Sequence, residues 1–194
     1  MKKLSTYLFL ILFSFSAPSF ADDISDFQIE GMSIGDSLLD YVTKDEIENK
    51  EKVYHYATKD YYQIGIKNNL NVYEFVSLDL KTNDKKYIIE NISGVIEFKY
   101  KNEQAKKKCE SSMNEIANSI KEGFNLVKED DAGKLSWDKT GKSTYKRSNF
   151  KYKNSYPLTV ICQYWHETTP FSYLLKTTIS SEEFLNYLSS KAYK

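Results

Sequence analysis

The chain contains a single arginine, Arg147, and only 2 histidines, 2 cysteines and 2 tryptophans. Lysine supplies the rest of the positive charge, and 27 basic residues are matched by 27 acidic ones. Proteins that read nucleic acids draw on arginine forks and on a basic excess over the phosphate backbone, and neither is present here. No nucleic-acid partner is expected. The shortage of histidine and cysteine excludes more. His55 and His166 are far apart in sequence, and Cys109 and Cys162 have no C-x-x-C spacing. The chain therefore lacks the clustered ligands of a zinc site and the spacing of a redox motif, and neither a metal nor another cofactor is expected. Only 7 glycines and 3 prolines are present, and no linker divides the chain into independent domains.

Long apolar runs are also missing, with one exception. Residues 4–15 are almost wholly apolar, follow Lys2 and Lys3, and precede the small-residue segment Ser19-Phe20-Ala21. This is the pattern of a secretory signal, with cleavage expected after Ala21. The run falls short of the roughly 20 residues that span a bilayer, and no cysteine stands near the cleavage point to carry a lipid. Residues 22–194 then form one exported domain, periplasmic or secreted, with no membrane span after signal cleavage. In such a compartment a pair of cysteines is joined more readily than left free. A Cys109–Cys162 disulfide is expected, and loop entropy makes it worth roughly 4 kcal/mol.

What is abundant is aromatic: 16 tyrosines and 11 phenylalanines. Tyrosine suits a sheet, where the ring packs and the hydroxyl reaches water, and it equally suits a binding surface. Strand patterns recur at residues 53–57, 61–66, 72–80 and 87–100, and again at 144–152, 158–166 and 174–179. Short turn-like segments separate most of them. Gly94 marks a bulge or a close backbone approach within the longest of these.

The strongest helix follows. Asn102 caps it, Gly123 is expected to end it, and Ala105, Cys109, Met113, Ile116, Ala117, Ile120 and Phe124 form one apolar stripe. Thr43 and Glu46 make a capping box before a short turn, and residues 180–183 make a second before a terminal helix. Residues 129–133 read as a polar turn, and Trp137 as a large apolar anchor between turns. The expected class is α+β: an antiparallel sheet of about six to seven strands, covered on one face by one long and two short helices. The order of helix and strands in the two halves leaves a diverged duplication open, although no shared residue pattern supports it.

Residues 35–38 spell Gly-Asp-Ser-Leu. Those letters resemble the first block of the GDSL-type serine hydrolases, which implies Ser37 as nucleophile. The resemblance implies a partner histidine three residues after an aspartate, but Lys52 precedes His55 at that distance and Gln163 precedes His166. A serine without a placed base is a poor nucleophile. The same stretch reads as the entry to a short helix, with Gly31 and Gly35 allowing a tight approach, Asp36 capping, and Met32 and Ile34 packing beneath. Its Gly31-Met32-Ser33 entry resembles the small periplasmic assembly domains of the BamE/SmpA type, over about residues 29–80. That resemblance implies a noncatalytic adaptor packing on an envelope protein.

One further segment has the composition of a recognition surface. Residues 164–171 place Tyr164, Trp165, His166 and Phe171 in a strand-to-strand loop, with closure of the core by the rings as the structural alternative. The expected function is protein binding within the envelope or outside the cell. The alternatives are an esterase built on Ser37 and a purely structural envelope domain.

Overall fold

In the computed structural model, which describes residues 24–193 apart from 125 and 154, the chain runs through α1 (Lys44–Glu48), β1 (Tyr61–Ile66), β2 (Phe75–Lys81), β3 (Ile89–Phe98), α2 (Glu103–Phe124), β4 (Val127–Lys134), β5 (Thr144–Tyr152), β6 (Ser155–Tyr164), β7 (Tyr173–Ser180) and α3 (Glu182–Ser190). The expected signal, residues 1–21, lies outside the described residues. The 7 strands form one antiparallel sheet in the order β1-β2-β3-β7-β6-β5-β4. Two meanders thus meet where β3 pairs with β7, from Asn91↔Ser180 to Phe98↔Tyr173, and α2 carries the chain from one meander to the other.

Side-chain alternation decides which face α2 covers. Ile64, Leu78, Ile92, Ile179 and Leu158 lie in successive register across the sheet, and each is essentially inaccessible to water. The buried stripe of α2, Ala105, Cys109, Met113, Ile116, Ala117 and Ile120, closes over the β5, β6 and β7 part of this face, and Phe27, Ile29, Met32, Leu38 and Ile47 from the N-terminal segment join the same core. Full burial of each large aliphatic side chain contributes roughly 1.5–3 kcal/mol before entropy is counted. Asn102 Oδ1 accepts from Ala105 N at 2.9 Å and so starts the helix. Gly123 does not end it, because its backbone stays out of the left-handed region and the helix runs on through Phe124. Cys109 and Cys162 are joined, with Cα atoms 6.0 Å apart, so the N-terminal half of the helix is tied to the second meander.

The C-terminal helix reaches round to the opposite face. Phe184 and Tyr187 pack on Tyr61, whose side chain points away from that of its neighbour Tyr62 in the main core. Ser181 caps this helix by accepting from Phe184 N, one residue later than the sequence pattern places the cap. Gly94 marks a close approach rather than a bulge. A Cβ there would lie 2.6 Å from the Tyr73 ring, while the register shift falls at Asp79/Leu80.

Two segments differ from the expected strands and turns. Residues 127–134 form the edge strand β4, with Asp131 paired to Arg147 and Asp130 to Ser148 across β5. An edge strand needs backbone partners on one side only, and exposed charge protects its free edge. The expected strand at 53–57 contributes just one bridge, Val53↔Gln63. Tyr56 turns inward there, to the Phe184 and Tyr187 rings and to the Asp79 carboxylate.

Candidate functional site

Ser37 has a structural task in this fold. Its Oγ donates to the Lys86 carbonyl at 2.7 Å and accepts from Leu39 N at 3.3 Å, capping the 3-10 turn Leu38–Asp40. Asp36 instead accepts from Ser33 N at 2.8 Å and from the Tyr41 hydroxyl at 2.5 Å. Burial, with the Asp36 contact adding to it, pushes the Tyr41 phenol up to about 12. Both histidines are engaged elsewhere. His55 Nε2 meets Gln63 Oε1 at 3.2 Å, and His166 Nδ1 meets Thr168 Oγ1 at 2.9 Å. The serine proton is directed to a backbone carbonyl, so no base among the described residues is set up to activate this hydroxyl. Among the described residues, no group of 3 or more His, Cys, Asp and Glu side chains is arranged to hold a metal ion.

The segment 164–171 divides between core and surface. Tyr164 is buried toward α2, its hydroxyl donating to Glu110 at 3.0 Å and its ring edge-on to Tyr173. Burial, reinforced by the Glu110 carboxylate, pushes its phenol well above the ordinary range. Trp165 is also buried, with its ring 4.6 Å from that of Phe171. His166 is half-buried, and its N–H donates to Ser143 Oγ. Phe171 alone of the four turns substantially outward, at 52% exposure.

The sheet brings two further rings to the same end. Residues 99–102, 135–143 and 165–172 all leave the sheet where Phe98 pairs with Tyr173, Lys134 with Thr144, and Thr144 with Tyr164. From the first of these Tyr100 projects at 75% exposure, and from the second Trp137 at 61%. Trp137 is therefore not the apolar anchor its position between turns implies. Leu135 takes that place, at 2% exposure.

Each loop at this end is held by one charged side chain saturated with hydrogen bonds. Lys101 Nζ donates to the carbonyls of His166 at 2.8 Å and Thr169 at 2.6 Å, and to Thr169 Oγ1 at 3.2 Å. The three protons of the ammonium are matched by those three acceptors. Asp138 accepts from Thr140 N, Thr140 Oγ1 and Ser143 N at 2.7–2.9 Å. Hydrogen bonds from Ser143 and Thr140 hold its carboxyl far below the usual carboxylate range. Glu30, in the left-handed region with φ 54°, accepts from the backbone N–H groups of Asn71, Val72 and Tyr73 at 2.7–2.8 Å and fixes loop 67–74. Lys99, Lys139 and Lys142, on the same loops as Tyr100 and Trp137, are exposed.

Charge-assisted bonds are worth roughly 1.5–3 kcal/mol, so Lys101→Met should lower the local opening free energy of loop 165–172 by about that amount. Hydrogen exchange at the Thr169 amide, which donates to the His166 carbonyl, reads the change directly. Unaltered protection there would show that the turn holds itself. Tyr100 and Lys101 escape sequence reasoning because they continue a strand pattern. Their roles depend on a loop 65 or more residues away. No protein-family model, no curated protein and no solved structure was found to match the chain.

Proposed function

We propose that this protein is an exported, noncatalytic domain that binds another protein of the envelope or the extracellular space through the aromatic end of its sheet. The observation that carries the reading is the exposure of Tyr100, Trp137 and Phe171, at 75%, 61% and 52%, on loops fixed by internal hydrogen bonds. Large rings left in water on rigid loops cost little ordering entropy when they enter a partner's pocket, which is how aromatic hot spots reach high affinity. The buried rings of Tyr164 and Trp165 support the surface from beneath, with Phe171 resting on Trp165. A periplasmic or secreted location fits the Cys109–Cys162 bond. No helix among the described residues is long and apolar enough to cross a membrane.

The test compares wild type with the triple variant Tyr100→Ala, Trp137→Ala, Phe171→Ala. A protein captured from the exported fraction by wild type is purified and its Kd measured against both. Truncation at a hot spot costs about 2 kcal/mol, so the triple variant should bind at least about a hundredfold more weakly. Its far-ultraviolet circular dichroism should stay native, because these side chains lie in loops outside the sheet and helices. Equal affinity of the two proteins for the captured partner would refute this surface.

A further inference from the structure

Lys176 stands near the middle of the sheet, on the face opposite α2. Val95 of β3 and Ile161 of β6 flank it in register, and Leu174 is next along its own strand on that face. The residue is half-buried, yet its amine makes no hydrogen bond and no ion pair among the described residues. Lys101 and Lys81 are also half-buried, but the first meets three acceptors and the second two carboxylates. Beside Lys176 the hydroxyls of Ser93 and Thr178 meet each other at 2.9 Å. The Asp79 carboxylate, whose charge the amine feels, accepts from Asn91, Gln63 and Tyr56 rather than from Lys176.

An ammonium carries three N–H donors and no acceptor, so protonating this amine leaves donors without partners. Burial accordingly pushes it below its ordinary value, with Asp79 opposing. A neutral lysine amine has a free electron pair and adds to carbonyl carbon, which is how desolvated lysines form imines. The surroundings narrow the carbonyl compound. In the register row of Lys176 and the rows on either side, the only other cation is Arg147, and Asp131 holds it through two guanidinium nitrogens. Glu97 and Glu129 lie in those rows and Asp79 in the next, so an anionic group on the ligand meets carboxylates and no unpaired cation. Val95, Ile161 and Leu174 instead offer contact to a hydrocarbon chain.

We propose that Lys176 is a covalent binding site for a small uncharged aldehyde, held as an imine on its amine. The electron pair of Nζ adds to the carbonyl carbon. The carbinolamine then loses its oxygen as water, which carries away both amine hydrogens, and a C=N bond is left. Water added back to that bond releases the aldehyde, so no oxidant or reductant is consumed. The site goes beyond the binding surface of the loops and does not rest on it.

The test is reductive trapping on the whole, oxidised protein. Butanal and cyanoborohydride are added at neutral pH, and peptide mass spectrometry gives the rate at each lysine. Lys176 should be trapped at least about tenfold faster than the exposed Lys99, Lys139 and Lys142, at a rate that saturates as butanal is raised. Glyoxylate, an anionic aldehyde, should show neither the preference nor the saturation. Unfolding in urea should bring Lys176 to the common rate. Trapping at Lys176 no faster than at the exposed lysines, a rate that rises linearly with butanal, or a preference that survives in urea would overturn the site. Saturation by glyoxylate as readily as by butanal would overturn the ligand class.

Discussion

Breaking the Cys109–Cys162 bond should lower the unfolding free energy by about 4 kcal/mol, the entropic value for a closed loop of this length. At about 2–4 °C per kcal/mol for a domain of this size, the melting temperature should fall by about 8–16 °C. The loop closed by the bond contains the rest of α2, the edge strand β4, all of β5 and most of β6. Much of that segment is held only by strand pairing at one margin of the sheet, and β4 keeps most of its residues in water. In the unfolded chain the same segment is free to explore, so the cross-link removes disorder that folding must otherwise overcome. Denaturation of Cys109→Ala/Cys162→Ala beside wild type, each with and without reductant, measures the effect. Wild type with reductant should behave like the variant, and the variant should ignore the reductant. A thiol reagent should label neither cysteine of the oxidised protein, even in denaturant. Coincident transitions for all samples would mean that the bond constrains nothing that the core does not already fix.

The same bond shows why some of the fold could be read from sequence and some could not. Cys109 belongs to a stripe with helical spacing, and Cys162 to a strand that alternates, so both periodicities point inward and toward each other. The apolar stripe of α2, the Thr43–Glu46 capping box and the alternation of residues 72–80 are local signals; the first two have their counterparts in the structure, and the third has its own only from Phe75 onward, where the strand begins. β4 carries no such signal. Val-Lys-Glu-Asp-Asp-Ala-Gly-Lys has neither an apolar face nor strong strand formers, and its pairing depends on Arg147 and Ser148, more than a dozen residues away.

The candidate recognition surface failed to declare itself for a related reason. Trp165 and Trp137 both sit near strand ends beside polar residues, yet one is 8% exposed and the other 61%. Leu135, Asp138 and Ser143 occupy the inward positions of the second loop, which leaves Trp137 outside. That outcome follows from the Asp138 hydrogen bonds rather than from hydrophobicity. Lys101 likewise looks like ordinary surface charge until the fold delivers the acceptors of residues 166 and 169 to it.

Asp79→Ala should destabilise the protein by about 3 kcal/mol, the low end of the cost of removing one member of a buried polar and ionic network. Asp79 is 1% exposed, on the sheet face opposite α2. It accepts from Asn91 Nδ2 at 2.7 Å, Gln63 Nε2 at 3.2 Å and the Tyr56 hydroxyl at 3.3 Å, while Asn91 Oδ1 accepts from Ser180 at 2.6 Å. Removal of the carboxylate leaves those donors facing one another and leaves Lys176 without the charge that offsets its burial. Tyr56 would also lose the contact that draws segment 53–60 onto the sheet, so exchange at the Ala57 amide, bonded to the Ala192 carbonyl, should quicken.

The pH dependence separates this network from simple packing. Burial pushes the Asp79 carboxyl up from its ordinary value, and the hydrogen bonds of Asn91 and Gln63 oppose that shift only in part. A carboxyl raised by folding contributes most below its unfolded pKa, about 4, and that contribution is lost as pH rises through the folded value. The stability gap between wild type and Asp79→Ala should therefore be widest near pH 4 and narrower at pH 7. Burial also pushes the Lys176 amine down, with Asp79 opposing. Lys176→Met removes a charge that burial already disfavours, and should cost less than Asp79→Ala. In the double variant the orphaned ammonium is gone, so its loss should fall short of the sum of the single losses by about 1 kcal/mol. Strict additivity, or a gap that does not change with pH, would show that Asp79 fills space on this face without exchanging charge with Lys176.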